Sequence, residues 1–245
     1  PPMYDLEEPR LIHEIKRRSA HRVLLQLPEG LKPLAAGLAE RLQNATGSEV
    51  LVSGDPCYGA CDLALQQKKQ VKADLLIHVG HAEIPSESPS DQVVYVEARS
   101  DEKVVGPLAE ALKLLKNEKN IGLAASVQHM HLLKSAKETL ERAGKTVWIG
   151  RPSGRLLHEG QVLGCDYSTA LSVASNVDAF LVIAGGDFHA LGVSLATGKR
   201  TIVVDPYQQT VRDAAGLVDK ILRQRYATIL KFKETRKVGI IIGLK

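Results

Sequence analysis

Three cysteines in 245 residues are too few, and odd in number, to staple a disulfide framework. A small spaced set of this kind points instead to metal or redox chemistry in a reducing compartment, so a cytoplasmic protein is expected. Aromatic side chains make up only 4% of the chain. That leaves little surface on which bases could stack, and no direct nucleic-acid partner is expected. No apolar run approaches the roughly 18 residues needed to cross a bilayer. The opening PPMYDLEEPR has no basic-then-apolar leader pattern, and no membrane partner is expected. A large excess of one charge is missing too. The formal net charge is +4, and the basic clusters at Lys16-Arg17-Arg18 and between Lys231 and Lys237 read as solvated faces of amphipathic helices.

What is present is 44% hydrophobic residues in a chain long enough for about two α/β units of roughly 100–120 residues each. Residues 6–18 read as an amphipathic helix and 22–27 as a buried strand. Pro28-Glu29-Gly30 then turns into a helix over 31–44. A strand at 49–52 ends at Gly54-Asp55-Pro56, and strands follow at 75–79 and 93–96 around a Gly80-His81 loop. The order then recurs: strand 121–125, helix 131–143, a turn at Gly144, strand 147–149, strand 179–183, a Gly185-Gly186 turn and strand 201–204. Apolar strands alternating with helical segments predict parallel sheets, and the recurrence predicts an internal duplication. Residues 238–244 resemble the opening strand of the other copies. From this the chain is expected to be part of a longer, three-domain protein.

The two halves share more than a strand pattern. Cys61-Asp62 and Cys165-Asp166 occupy matching corners, and an aspartate that opens a strand lies thirteen residues past each cysteine, at Asp74 and Asp178. Cysteines retained at equivalent corners suggest that the corners meet around something thiolates bind. Cys57, four residues before Cys61, is weak evidence alone, because unpaired cysteines are often simply buried. Zinc is not favoured: no second short-spaced pair flanks Cys165, and His129-Met130-His131 has the wrong spacing for one helix face. An iron–sulfur cluster accepts widely separated thiolates, and three of them on four irons leave one iron open.

Six ordered stretches carry a family resemblance. They are Pro28-Glu29-Gly30-Leu31, Tyr58-Gly59-Ala60-Cys61-Asp62, Gln128-His129-x-His131, the run QVLGCDYS at 161–168, Phe188-His189-x-Leu191-Gly192 and Asp205-Pro206-Tyr207. Together they resemble the archaeal diphthamide synthase, or 2-(3-amino-3-carboxypropyl)histidine synthase, family. The resemblance implies α/β architecture of repeated Rossmann-like domains with parallel sheets, here two complete copies plus the start of a third. The expected domains are 1–117, 118–236 and the opening strand of a third at 237–245. It implies a homodimer with a 4Fe-4S cluster held by one cysteine per domain. Cys61 and Cys165 are the two metal ligands present, the third lying outside this segment, and Cys57 is a neighbour. It implies S-adenosylmethionine as substrate at the open iron, an external electron donor, and radical transfer of a 3-amino-3-carboxypropyl group to a histidine of translation elongation factor 2. The usual C-x3-C-x2-C loop of radical enzymes is absent.

Further site candidates follow from the task of holding a zwitterion and an adenosine. Gly185, Gly186 and Asp187 form a turn at a strand end suited to a carboxylate. His189, just beyond, is the catalytic candidate. Gln128 and His131 open a helix toward the expected cleft, and Arg151, with Arg155, lies in a Gly/Pro/Ser-rich loop able to bind a carboxylate. Asp55 is a ribose-contact candidate, although Asp55 and Asp205, each before proline, read first as turn residues. Asp62 and Asp166 are candidate helix caps. His78, His81 and His158 receive no role. Two other classes stay open: a cluster-dependent dehydratase like quinolinate synthase, and a non-catalytic electron-transfer or accessory subunit.

Overall fold

The computed structural model describes residues 4–87 and 91–243. A two-residue strand, β1 (Tyr4–Asp5), precedes α1 (Glu8–Arg17) and β2 (Arg22–Gln26). A 3-10 turn over Glu29–Leu34 leads into α2 (Ala35–Thr46), followed by β3 (Glu49–Val52), α3 (Leu65–Gln70), β4 (Leu75–Val79), β5 (Val93–Val96) and β6 (Arg99–Ser100). The chain continues through α4 (Val105–Leu114), β7 (Asn120–Ala125), a 3-10 turn over Val127–Leu132, α5 (Leu133–Arg142) and β8 (Thr146–Trp148). It ends with α6 (Ser168–Val173), β9 (Ala179–Ile183), α7 (Phe188–Thr197), β10 (Arg200–Asp205), β11 (Thr210–Asp213) and α8 (Ala215–Lys233). No helix among the described residues is long and apolar enough to cross a membrane.

The first sheet has the order β3-β2-β4-β5 and is parallel throughout. The second has the order β8-β7-β9-β10, also parallel, with β11 added antiparallel to β10. The strand orders therefore correspond one to one. Strands covered on both faces are apolar without alternation, and β4 and β9 are buried at every residue. Each of these strands is preceded by an aspartate that locks it to its neighbour. Asp74 Oδ2 accepts the His21 and Arg22 N–H groups at 2.8 and 2.9 Å. Asp178 Oδ2 accepts those of Lys119 and Asn120 at 2.9 and 2.7 Å.

Each sheet has its own core. In the first, Leu11 and Ile15 of α1 and Leu38 and Leu42 of α2 pack on Val23, Leu25 and Ile77. A smaller cluster with Leu24, Leu76 and Val93 fills the other face. In the second, α4 and α5 cover Leu123, Leu181 and Ile202 on one face. On the other, α6 and α7 cover Phe180, Val182 and Val203. Helix α4, which a boundary at 117/118 would give to the first unit, packs on the second sheet through Leu108 and Ala111.

The strand expected at 238–244 is not formed among the residues described. Residues 238–243 are exposed, Ile241 at 97%, and bond to no strand; Leu244 lies outside the described residues. A strand exists only with a ladder partner, and these residues have none here. Helix α8 likewise buries no residue.

Candidate functional site

The loops that follow β3, β4, β7, β8 and β9 leave the carboxyl ends of both sheets, where open α/β sheets bind ligands. They converge on one cavity of about 350 Å³. Both cysteine corners open into it, with Tyr58 through Cys61 on one wall and Val162 through Cys165 on the other. Both thiols are exposed, whereas Cys57 is buried. Gly80 and His81, Gln128, and Phe188 and His189 line the rest.

Three contacts fix the two walls relative to each other. Gln128 Nε2 donates to the Gly80 carbonyl at 2.6 Å. His158 pairs with Glu97 across the same seam. Arg155 makes a two-pronged ion pair with Glu87, both contacts at 2.9 Å, a geometry that fixes orientation as well as adding attraction. This last pair matters most for the site, because the third guanidinium nitrogen of Arg155 lies 3.6 Å from Cys165 Sγ. The hydrogen bonds and negative charge of Glu87 hold the guanidinium firmly protonated.

The two Cys-Asp corners use their carboxylates differently. Asp62 Oδ2 reaches back to the Tyr58 N–H at 3.1 Å. Asp166 accepts the Ser168 N–H at the start of α6 (2.9 Å) and the Arg155 N–H (3.1 Å). Neither aspartate occupies a helix N-cap position: Asp166 closes an Asx turn one residue before the N-cap Tyr167 of α6, and the bond from Tyr58 closes a turn around Cys61. The histidines of the cavity are neutral: burial pushes His189 and His81 down to about 4. Nδ1 of His189 is buried and has no hydrogen-bond partner among the described residues.

Of the residues singled out in the sequence, Cys61, Cys165, Gln128 and His189 meet in this cavity. The other candidate ligand-contact residues, Gly185, Gly186, Asp187, His131, Asp55 and Arg151, do not line it. The Gly186 N–H is taken by Asp205 Oδ2 at 2.9 Å, so the Gly185-Gly186 turn is closed from within rather than offered to an anion. Asp187 pairs with Arg212 at 2.8 Å. His131 lies in a separate depression with Tyr4 and Arg99. Asp55 accepts Gln67 Nε2 at 2.5 Å, and Arg151 is exposed outside the cavity. Asp205 closes its turn on the N–H groups of Tyr207 and Gln208. The aromatic rims Tyr58 and Phe188, 78% and 63% exposed, have no signal in the sequence beyond the motifs that contain them. Nothing in the local sequence foretells the Glu87–Arg155 pair, whose members are 68 residues apart.

The donor set suits an iron–sulfur cluster as far as it goes. Two accessible thiols from separate loops face one space beside a fixed positive charge, which opposes the negative charge of a thiolate-ligated cluster. These features define an α/β protein with parallel sheets and a two-thiol cavity at its strand ends. Residues 27–245 match the family model described as "Putative diphthamide synthesis protein", and the chain belongs to that family. It is 38% identical to 2-(3-amino-3-carboxypropyl)histidine synthase of Pyrococcus horikoshii, over 99% of this chain and 69% of the relative. With subunit 1 of the Aspergillus fumigatus enzyme of that name, identity is 32% over 99% of this chain and 54% of the relative. The crystal structure of Dph2 from P. horikoshii with a 4Fe-4S cluster superposes with a TM-score of 0.86 at 37% identity, covering 99% of this chain and 71% of that one. The chain thus spans about half to two thirds of the length of such relatives.

Proposed function

We propose that this chain works in diphthamide biosynthesis, within an enzyme that transfers the 3-amino-3-carboxypropyl group of S-adenosylmethionine to a histidine of translation elongation factor 2. The observation that carries this reading is the meeting of Cys61 and Cys165 in one cavity. The names of the relatives and the cluster in the P. horikoshii structure support it. In this reading the repeated units are Rossmann-like domains, and the protein is a cytoplasmic homodimer supplied by an external electron donor.

Cys61 and Cys165 would hold the 4Fe-4S cluster. Bound there and reduced, it would supply the electron that breaks a sulfonium carbon–sulfur bond. The remaining tasks belong to side chains. Arg155 opposes the negative charge at Cys165, and Glu87 keeps it from swinging to solvent. Tyr58 and Phe188 offer aromatic faces to an adenine. His189, neutral and with a buried ring nitrogen lacking a hydrogen-bond partner among the described residues, is placed to hydrogen-bond a ligand in the cavity. Gln128 is already engaged with Gly80, and its part is to hold the walls together. Gly185, Gly186, Asp187, His131, Arg151 and Asp55, outside the cavity, take no part in this arrangement.

The reaction is tested with anaerobically reconstituted, reduced protein given S-adenosylmethionine labelled in the aminocarboxypropyl group together with elongation factor 2. Label is expected on the factor. Release of 5′-deoxyadenosine, with no label transferred, would overturn the reading.

A further inference from the structure

Behind the Cys61 corner a second donor set converges. Cys57 Sγ and one ring nitrogen each of His78 and His81 lie within 4.8 Å of one another. His78 is fully enclosed and Cys57 is buried. The His78 ring is aimed by a fixed partner, since Nδ1 sits 2.9 Å from Gln26 Oε1. Gln26 cannot turn: its Oε1 accepts the Ala64 N–H at 3.0 Å and its Nε2 donates to the Asp62 carbonyl at 2.7 Å. An amide oxygen only accepts, so Nδ1 carries the proton and Nε2 presents its lone pair toward His81 Nδ1, 2.9 Å away. A second acceptor that sets tautomer and ring direction is what metal-binding histidines ordinarily have.

Backbone geometry brings the two rings together. Residues three apart on a strand face opposite sides, but Gly80 leaves β4 with φ +94° and turns His81 back beside His78. A Cβ at Gly80 would lie 2.9 Å from the Pro28 ring, so this turn is reserved for glycine. Nor does the fold demand the polar pair. At the matching register of the second sheet, Gln26 and His78 are replaced by Ala124 and Val182, both buried.

We propose that Cys57, His78 and His81 form a mononuclear site for a borderline-soft divalent cation, Zn2+ above others. Its fourth position would lie on the side where His81 reaches the cavity. One thiolate, two imidazoles and an open position follow the plan of three N or S ligands plus an open fourth position that zinc sites use. Zn–N bonds of 2.0–2.1 Å set the nitrogens roughly 3.3 Å apart, so the rings separate by a few tenths of an ångström while the thiol turns in. A cation here ties the loop of Cys61 to the end of β4. The site is independent of the proposed transfer reaction. Rules based on short ligand spacing miss it because Cys57 comes from the loop of one strand and the histidines from the end of another.

The test uses the Cys61→Ser/Cys165→Ser chain, in which Cys57 is the last thiol. Titrated anaerobically with Co2+, it is expected to bind one ion with tetrahedral d–d bands and a thiolate-to-cobalt charge-transfer band, both bleached by Zn2+. Adding His81→Asn should abolish the charge-transfer band while circular dichroism and the melting curve stay those of the parent. Adding Cys57→Ser should do the same. No thiolate band in the parent would overturn the proposal. So would a band that survives His81→Asn. Should Cys57→Ser fail to fold, the His81→Asn comparison still decides.

Discussion

The two sheets share a frame and differ in what they place on it. Strand order is the same, and an aspartate locks the third strand of each, in sequence, to its neighbour. At one register pair the first sheet has Leu24 beside Leu76, where the second has Gly122 beside Phe180. Here the division of apolar bulk changes, from two branched side chains to one ring beside a bare backbone. Two residues along, Gln26 and His78 face Ala124 and Val182 as the second sheet's equivalents, and chemistry changes instead. The cysteine corners diverge in the same way. Cys61 lies in the turn that Asp62 closes on Tyr58, whereas Cys165 has the Arg155–Glu87 pair. Packing positions accept apolar side chains of different shape as long as the space is filled without strain. Positions at the strand ends, above the packed layers, are where the two sheets differ in chemistry.

The strongest way to break the comparison is at the cysteines. If the corners are equivalent ligand positions, Cys61→Ala and Cys165→Ala each abolish the visible absorbance of the reconstituted cluster. Thermal melts of both should stay close to the parent, because both thiols are exposed. A normal cluster in either variant would remove that corner from the ligand set.

A smaller but well-defined effect concerns volume. A Cβ on Gly122 would lie 2.3 Å from the Phe180 ring, and overpacking of this kind costs about 1–3 kcal/mol. Gly122→Ala is therefore expected to lower the unfolding free energy read from urea titration by that amount. Gly122→Ala combined with Phe180→Leu keeps the summed volume nearly constant and should recover most of the loss. A double variant less stable than the Ala single would show that this register needs the Phe180 ring itself and not only its volume.

Much of the frame was legible because buried parallel strands are continuous apolar runs. The strands at 49–52, 75–79, 93–96 and 179–183 fall where the sequence puts them. The β1–β6 pair and β11 were not foreseen, since two-residue strands carry no period and β11 is half-exposed. In the site, the repeated cysteines and the motifs holding Gln128 and His189 were visible as local patterns. What filled or completed them was not. Asp205 reaches back 19 residues to occupy the Gly186 amide, and Glu87 comes from the other half of the molecule to hold Arg155. A glycine turn reads as an anion nest only until the carboxylate that fills it is known. The cluster of Cys57, His78 and His81 was hidden for a similar reason: Cys57 meets the histidines only after β3 and β4 have both paired with β2.

The mildest expected effect probes the feature the two sheets share most closely. Asp74 and Asp178 are each held below the usual carboxylate range, chiefly by the backbone N–H groups of Arg22 and of Asn120 respectively. A carboxylate whose folded pKa is depressed adds stability above its unfolded value, about 4, and that contribution disappears as pH falls through the folded value. Asp74→Asn and Asp178→Asn keep an acceptor oxygen but lose its charge, so each should lower Tm at pH 7 by less than Gly122→Ala does. The two losses should be alike, since solvent screens both carboxylates to a similar degree. Melts recorded downward from pH 7 should show each gap to the parent narrowing only below about pH 4. A gap that persists in acid would mean that the carboxylate holds its strand by shape rather than charge. A gap at one aspartate and none at the other would mean that the matching lock bears weight in only one sheet.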